Sequence, residues 1–241
     1  MDSLSPLRRV YYSYLSRMYA LLYAMSRRSF LGMRLSTLAR WLPILALLVG
    51  LIADWPLPVM IGLLLVTIWI HYSFWRAKRD NYNRFIAHSA PPPAGQAMEP
   101  LPPNRKLPVR ATGLFSVSGR ENSLLLRPAH YWRVPLGDHV VMAEEDPGKY
   151  LYQFFDGRTL QEVQPGWLLF GARPVESLAV TFLARWGPEY TRFGPSHETG
   201  NDGLPPPKRV TVYLSAEDET VQRTIHQTIV EDARQTRLNN P

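Results

Sequence analysis

Apolar positions run almost unbroken from Trp41 to Ala53 and again from Pro58 to Trp75, parted only by the turn Asp54-Trp55-Pro56-Leu57-Pro58. As a helix the second run, PVMIGLLLVTIWIHYSFW, reaches about 27 Å, close to the hydrocarbon thickness of a bilayer. The first reaches only about 20 Å and needs the turns from Arg34 onward to complete a crossing, with Arg40 snorkelling to the headgroups. Pro43 and Pro58 fall near the start of each run, where a missing N–H costs little. Trp41, Trp55, Trp69, Tyr72 and Trp75 supply aromatics for the two interfaces. The pattern predicts a transmembrane helical hairpin over residues 35–76.

Upstream, Val10, Tyr14, Met18, Leu22 and Met25 recur at helical spacing, while Arg17 and the arginines at either end project elsewhere. This predicts a basic amphipathic segment over residues 1–34 lying on the membrane surface, where Tyr11, Tyr12, Tyr14, Tyr19 and Tyr23 bury a ring and wet a hydroxyl. Two alternatives stay open. The helix packs on the soluble part of the chain, or residues 1–40, rich in Arg and Ser with Asp2 the single acid, form a targeting segment.

After a basic stretch, PPPAG and EPLPP complete a linker over residues 77–105 with extended polyproline character. From Lys106 the period changes to that of strands, expected near residues 110–117, 123–134, 139–144, 150–155, 159–163, 167–170, 177–184 and 209–214. Turns are expected at Ser118-Gly119, Pro147-Gly148, Asp156-Gly157 and Pro165-Gly166, with Asp156-Gly157 the strongest hairpin signal. Ser215-Ala-Glu-Asp218 then reads as a capped start for a helix whose stripe is Val221, Ile225, Thr228, Ile229 and Ala233. The predicted fold class is α+β: a transmembrane hairpin, then an antiparallel sheet or barrel of seven or eight strands over residues 106–238, ending in an amphipathic helix.

That order, with VTVYLS running into AEDETVQRTIHQTIVEDA, resembles the pleckstrin-homology-like (PH-like) superfold, including its bacterial membrane-tethered members, over Lys106 to Arg237. The resemblance implies a C-terminal helix plugging one end of a bent sheet. Phosphoinositide-binding members resemble one another in a basic run across the first hairpin ending in Arg-x-Arg. The corresponding turn here is Ser118-Gly119-Arg120-Glu121-Asn122, so no ligand residues carry over.

Charge changes the picture by its placement. Residues 1–90 hold 11 Lys and Arg against 3 acids (+8), leaving 16 against 17 (−1) of the totals of 27 and 20 for the remainder. A basic block touching apolar helices points to anionic lipid headgroups and away from nucleic acid. The expected membrane-surface residues are Arg8, Arg9, Arg17, Arg27, Arg28, Arg34, Arg40, Arg76, Lys78 and Arg79, whereas the turn between the runs carries only Asp54. By the positive-inside rule both termini face the cytoplasm at the cell membrane, an organellar membrane being the alternative. The absence of Cys removes disulfides, thiol catalysis and thiolate metal sites.

No motif defines a reaction: G-x-G-x-x-G, G-x-x-x-x-G-K, G-x-S-x-G and H-E-x-x-H are all missing. His130, His139, His197 and His226 lack a second ligand at metal spacing and read as ordinary strand or surface residues, and His71 reads as an interfacial residue of its span. Glu144, Glu145 and Asp146 crowd a turn and read as solvated. Neither a cofactor nor an enzymatic activity is expected. Trp186, Tyr190 and Phe193, in a stretch without periodicity, are candidate partner contacts. The expected function is a membrane-anchored interaction module for a protein or lipid partner. The alternatives are an accessory subunit of a larger membrane complex, with Gly50 and Gly62 admitting foreign helices, and an enzyme or small-ligand carrier with its site in the mouth of the sheet.

Overall fold

Three long helices precede the sheet: α1 (Pro6–Arg27), α2 (Leu35–Ile52) and α3 (Leu57–Arg79). The computed structural model describes residues 5–88, 101–117, 120–135, 137–184 and 207–239. The chain divides into two compact units, Met1–Arg84 with Leu169–Pro174, and Phe85–Leu168 with Val175–Pro241.

In the first unit, α1 and α2 are joined by a two-strand hairpin, β1 (Ser29–Phe30) and β2 (Met33–Arg34). α2 closes in a Schellman arrangement: Asp54 takes a left-handed φ of 51° and Trp55 N–H reaches back to Gly50 O at 2.9 Å. α3 ends the same way, with Asn81 at φ 50° and Tyr82 N–H on Ala77 O at 2.7 Å. Pro58 lies in the first turn of α3 as expected, but Pro43 lies inside α2. The helix begins at Leu35, as a full crossing requires, so Pro43 falls two turns in and deprives the Ala39 carbonyl of its usual donor.

Gly50 also departs from expectation. A Cβ there would fall 2.7 Å from Met60 Sδ and 2.9 Å from Trp55 Cε3, so its bare face is filled from within the hairpin and offers nothing to a foreign helix. Gly62 has nothing within 4 Å. Within its unit the buried side of α1 is Leu15, Ser16, Tyr19 and Leu22, while Val10 and Tyr14 of the apolar stripe stay exposed. Tyr19 sets this side, because its hydroxyl donates to Asp80 Oδ2 at 2.7 Å beyond the end of α3.

The second unit holds an antiparallel sheet with a curl. Its strands are β3 (Arg84–Ala87, shared at Arg84 with the first unit), β4 (Leu107–Val117), β5 (Arg120–Arg133), β6 (His139–Asp146), β7 (Lys149–Phe155), β8 (Leu160–Leu169), β9 (Val175–Ala184) and β10 (Lys208–Ser215). The order is β3-β8-β9-β10-β4-β5-β6-β7, with β4 also pairing to β7 at Ser116↔Tyr152, which curls that half into a partial barrel. Helix α4 (Glu219–Asn239) follows the last strand. Asp218 caps it by accepting Thr220 N–H at 2.8 Å, and Gln222 reaches back to Ala216 N–H at 2.8 Å, so the cap is Asp218 and not Ser215. Ile225, Thr228, Ile229 and Ala233 are buried as expected, Val221 is half-buried, and Gln222 and Asp232 join the buried face.

Three expectations about the strands are corrected. Pro165-Gly166 is not a turn: β8 runs through it, pairing Pro165 with Leu178 and Gly166 with Ser177. Gly166 is needed there because a Cβ would meet Ile86 O at 2.4 Å, and His88 N–H binds Pro165 O at 2.9 Å. The strand brought so close is β3, which lies in the region read as linker. Asp156-Gly157 does turn the chain, but into no hairpin, since β7 and β8 are not neighbours in the strand order. Asp156 Oδ1 accepts the N–H groups of Arg158 and Thr159 at 3.0 and 2.8 Å, forming a corner, and Gly157 lets Thr236 of α4 approach. Pro147-Gly148 is the expected two-residue hairpin, whereas Ser118-Gly119 lies outside the described residues.

Candidate functional site

α2 and α3 are long and apolar enough to cross a membrane, and only 6 % and 17 % of their most apolar windows are buried. That burial separates them from the core helices of a soluble protein, whose apolar sides are covered. Trp41, Leu45, Leu48, Leu51 and Ile52 of α2 and Ile61, Leu65, Val66, Ile68 and Trp69 of α3 all face outward.

The cations collect at one end of this antiparallel pair. Arg34 is the N-cap of α2, and Arg76, Lys78 and Arg79 occupy the last turn of α3, where positive charge complements the helix dipole. Asp80 carries the wrong charge for that position and is held by its neighbours. Arg76 Nε lies 4.0 Å and Arg79 Nε 3.5 Å from its carboxylate, and the Tyr19 hydroxyl completes the set. Burial and the bond to Asp80 push the Tyr19 pKa up to about 12.

Of the other expected surface cations, Arg8, Arg9 and Arg17 are exposed on α1, with Arg17 Nε donating to Ala172 O at 3.2 Å. Arg27 ends α1 with its guanidinium 5.4 Å from the Tyr23 ring centre, and Arg28 is the C-cap. Arg40 does not extend freely: it is half-buried, stacked 4.9 Å over Phe74 of α3. His71 is half-buried, its Nδ1 3.0 Å from Thr67 O. Trp186, Tyr190 and Phe193 lie outside the described residues.

The second unit contains a buried polar cluster that spacing alone did not single out. β5 and β6 pair Arg133 directly with His139, and strand alternation sets Tyr131 diagonally on the same face. Tyr131 Oη lies 2.8 Å from His139 Nδ1, and His139 Nε2 lies 3.5 Å from Asp232 Oδ2 of α4. Arg133 grips the same carboxylate, Nη2 donating to Oδ1 at 2.7 Å and Nε 2.5 Å from Oδ2. Tyr131 and His139 share one hydrogen bond through Nδ1, while Asp232 faces Nε2 across the longer gap.

Tyr131, His139, Phe155 and Phe182 stack in sequence beneath α4, centroids 5.0 to 5.9 Å apart. Burial, with the nearby Arg133 charge, lowers the His139 pKa to about 4. Burial raises the Tyr131 pKa, assisted by Asp232. It raises that of Asp232 too, against the pull of Arg133. With Tyr131 and His139 at 0 % and 1 % exposure, no substrate reaches the imidazole, and the cluster works as a pin between α4 and the β5–β6 ladder. An exposed groove of about 370 Å³ lies instead on the outside, between β8 and α4, lined by Leu160, Val163, Val230, Ala233, Arg234 and Arg237.

Among the described residues no group of three His, Cys, Asp or Glu side chains is arranged to hold a metal ion. No protein-family model matches the chain, and no curated protein or solved structure matches it either.

Proposed function

We propose that the chain is a non-catalytic membrane-anchored interaction module. α2 and α3 cross the bilayer as a hairpin, its basic end and both termini on the cytoplasmic side, and the tethered PH-like domain docks a protein or lipid partner. One observation carries the anchor: two helices joined by a four-residue turn leave their apolar sides uncovered and concentrate their cations at one end. The curled sheet, with β4 meeting both β5 and β7 and one helix after the last strand, is compatible with a PH-like domain. The plugged interior favours binding by surface over catalysis, since the stacked aromatics and α4 occupy the space an internal site would need.

Extraction tests the anchor. Native membranes carrying the full chain are washed with high salt, then with alkaline carbonate, then with detergent. The expected result is retention until detergent is added; release by salt alone refutes the spanning hairpin.

A further inference from the structure

Between α1 and α2, residues 29–34 form a two-strand sheet of their own. Ser29 pairs with Arg34 and Phe30 with Met33, and Leu35 N–H donates to Arg28 O at 3.0 Å to close the base. Leu31 and Gly32 form the tip at φ 50° and 77°, so both central residues are left-handed, as a type I′ turn requires. Asn, Asp or Gly suits the first of these positions. A leucine there is strained by roughly 1 kcal/mol or more.

That strained leucine is 84 % exposed, and Phe30 at 60 % and Met33 at 49 % flank it. Three large apolar side chains on one six-residue hairpin thus keep about half or more of their surface uncovered. Arg27, Arg28 and Arg34 bracket them, all exposed, and none has a carboxylate partner among the described residues. An apolar tip flanked by guanidinium groups that lack a carboxylate partner among the described residues matches the layered chemistry of a leaflet surface, with anionic phosphates above and acyl chains below. Position agrees with chemistry, because β2 runs without a break into α2. With strands rising about 3.3 Å per residue, the tip stays within about 10 Å of Arg34, which is the depth of a headgroup layer.

The geometry points to the β1–β2 hairpin as a lipid-inserting fingertip: Phe30, Leu31 and Met33 enter the anionic leaflet beside the start of α2 while Arg27, Arg28 and Arg34 hold its phosphates. This rests on α2 and α3 spanning the bilayer. The fingertip fixes the depth and rotation of α2 in the leaflet, which the span's own apolar sides leave free.

The absence of cysteine makes the test direct. Full-length chains carrying Leu31→Cys, Leu65→Cys or Gln161→Cys are labelled with an environment-sensitive fluorophore. They are then reconstituted into vesicles of phosphatidylcholine alone or mixed with phosphatidylglycerol. The expected result is a label at position 31 shielded from aqueous iodide and quenched by headgroup-nitroxide lipid, more strongly with phosphatidylglycerol present. Position 65 is shielded in both, and position 161 is open to iodide. Iodide quenching at position 31 equal to that at 161, with 65 still shielded, overturns the fingertip and leaves the span standing. Quenching at 65 as well overturns both. Equal shielding at 31 in the two lipids overturns the anionic recognition.

Discussion

His139 is 1 % exposed, 2.8 Å from the Tyr131 hydroxyl and stacked with Tyr131 and Phe155, so burial, helped by the nearby Arg133 charge, disfavours an added proton. Its pKa is lowered to about 4, against 6.5 in the unfolded chain. Between those values the unfolded chain binds a proton that the folded one refuses, so stability falls as pH drops from 6.5 to about 4 and is level again below. The full difference amounts to about 3 kcal/mol. Asp232, raised by burial, works in the opposite sense within the carboxyl range, so the His139→Gln variant is the proper reference. Thermal melts of the full chain in detergent, followed by near-ultraviolet circular dichroism at several pH values, are expected to show a flatter profile for His139→Gln than for the parent. Parallel profiles would remove His139 as the origin. Sequence spacing hid this cluster because Arg133 and Asp232 are 99 positions apart and meet only through the docking of α4. His139 by itself resembles any strand histidine. The basic end of the hairpin, by contrast, was legible, since its residues follow one another along the chain.

At the level of elements, local signals succeeded where a feature is settled within a few residues. Pro147-Gly148 makes its hairpin, and α2 extends back to Leu35 as the length of a crossing demands. They failed where a neighbour distant in sequence decides. Pro165-Gly166 looks like a turn, yet it lies within β8, where the missing Cβ of Gly166 makes room for the neighbouring β3, and β3 is only four residues long. Asp156-Gly157 carries hairpin chemistry, but its glycine answers to Thr236 in α4. The Gly166→Val variant tests this close approach. Its Cβ would fall 2.4 Å from Ile86 O and 2.9 Å from Ala87 Cα, so β3 must shift or leave. A cost of about 1–3 kcal/mol is expected, typical of overpacking. Amide exchange is expected to lose protection at residues 85–88 while β9 and β10 keep theirs. Unchanged protection at 85–88 would show that the sheet edge accommodates the side chain.

Across the whole molecule, the excess charge and the exposed apolar surface belong to the same stretch of chain, while the second unit is nearly neutral and filled. That division suits a protein whose first part answers to a bilayer and whose second answers to a partner. In the proposed orientation, sidedness depends on charge, because the turn between α2 and α3 offers only Asp54 against Arg34, Arg76, Lys78 and Arg79 at the other end. Arginine in place of Asp54 adds a cation to the end that must be translocated, at about 2.5–3.5 kcal/mol if the side chain is drawn to mid-bilayer and far less at the interface. Asp54→Arg alone is therefore expected to leave orientation largely intact. Combined with Arg76→Gln, Lys78→Gln and Arg79→Gln it weakens the asymmetry, leaving Arg34 with Arg27, Arg28 and Arg84 against one cation in the turn, and is expected to produce a mixed population. Protease added to sealed right-side-out vesicles reads the outcome: the β-rich part is protected in the parent and partly cleaved in the combined variant. Cleavage in the parent itself would reverse the proposed orientation.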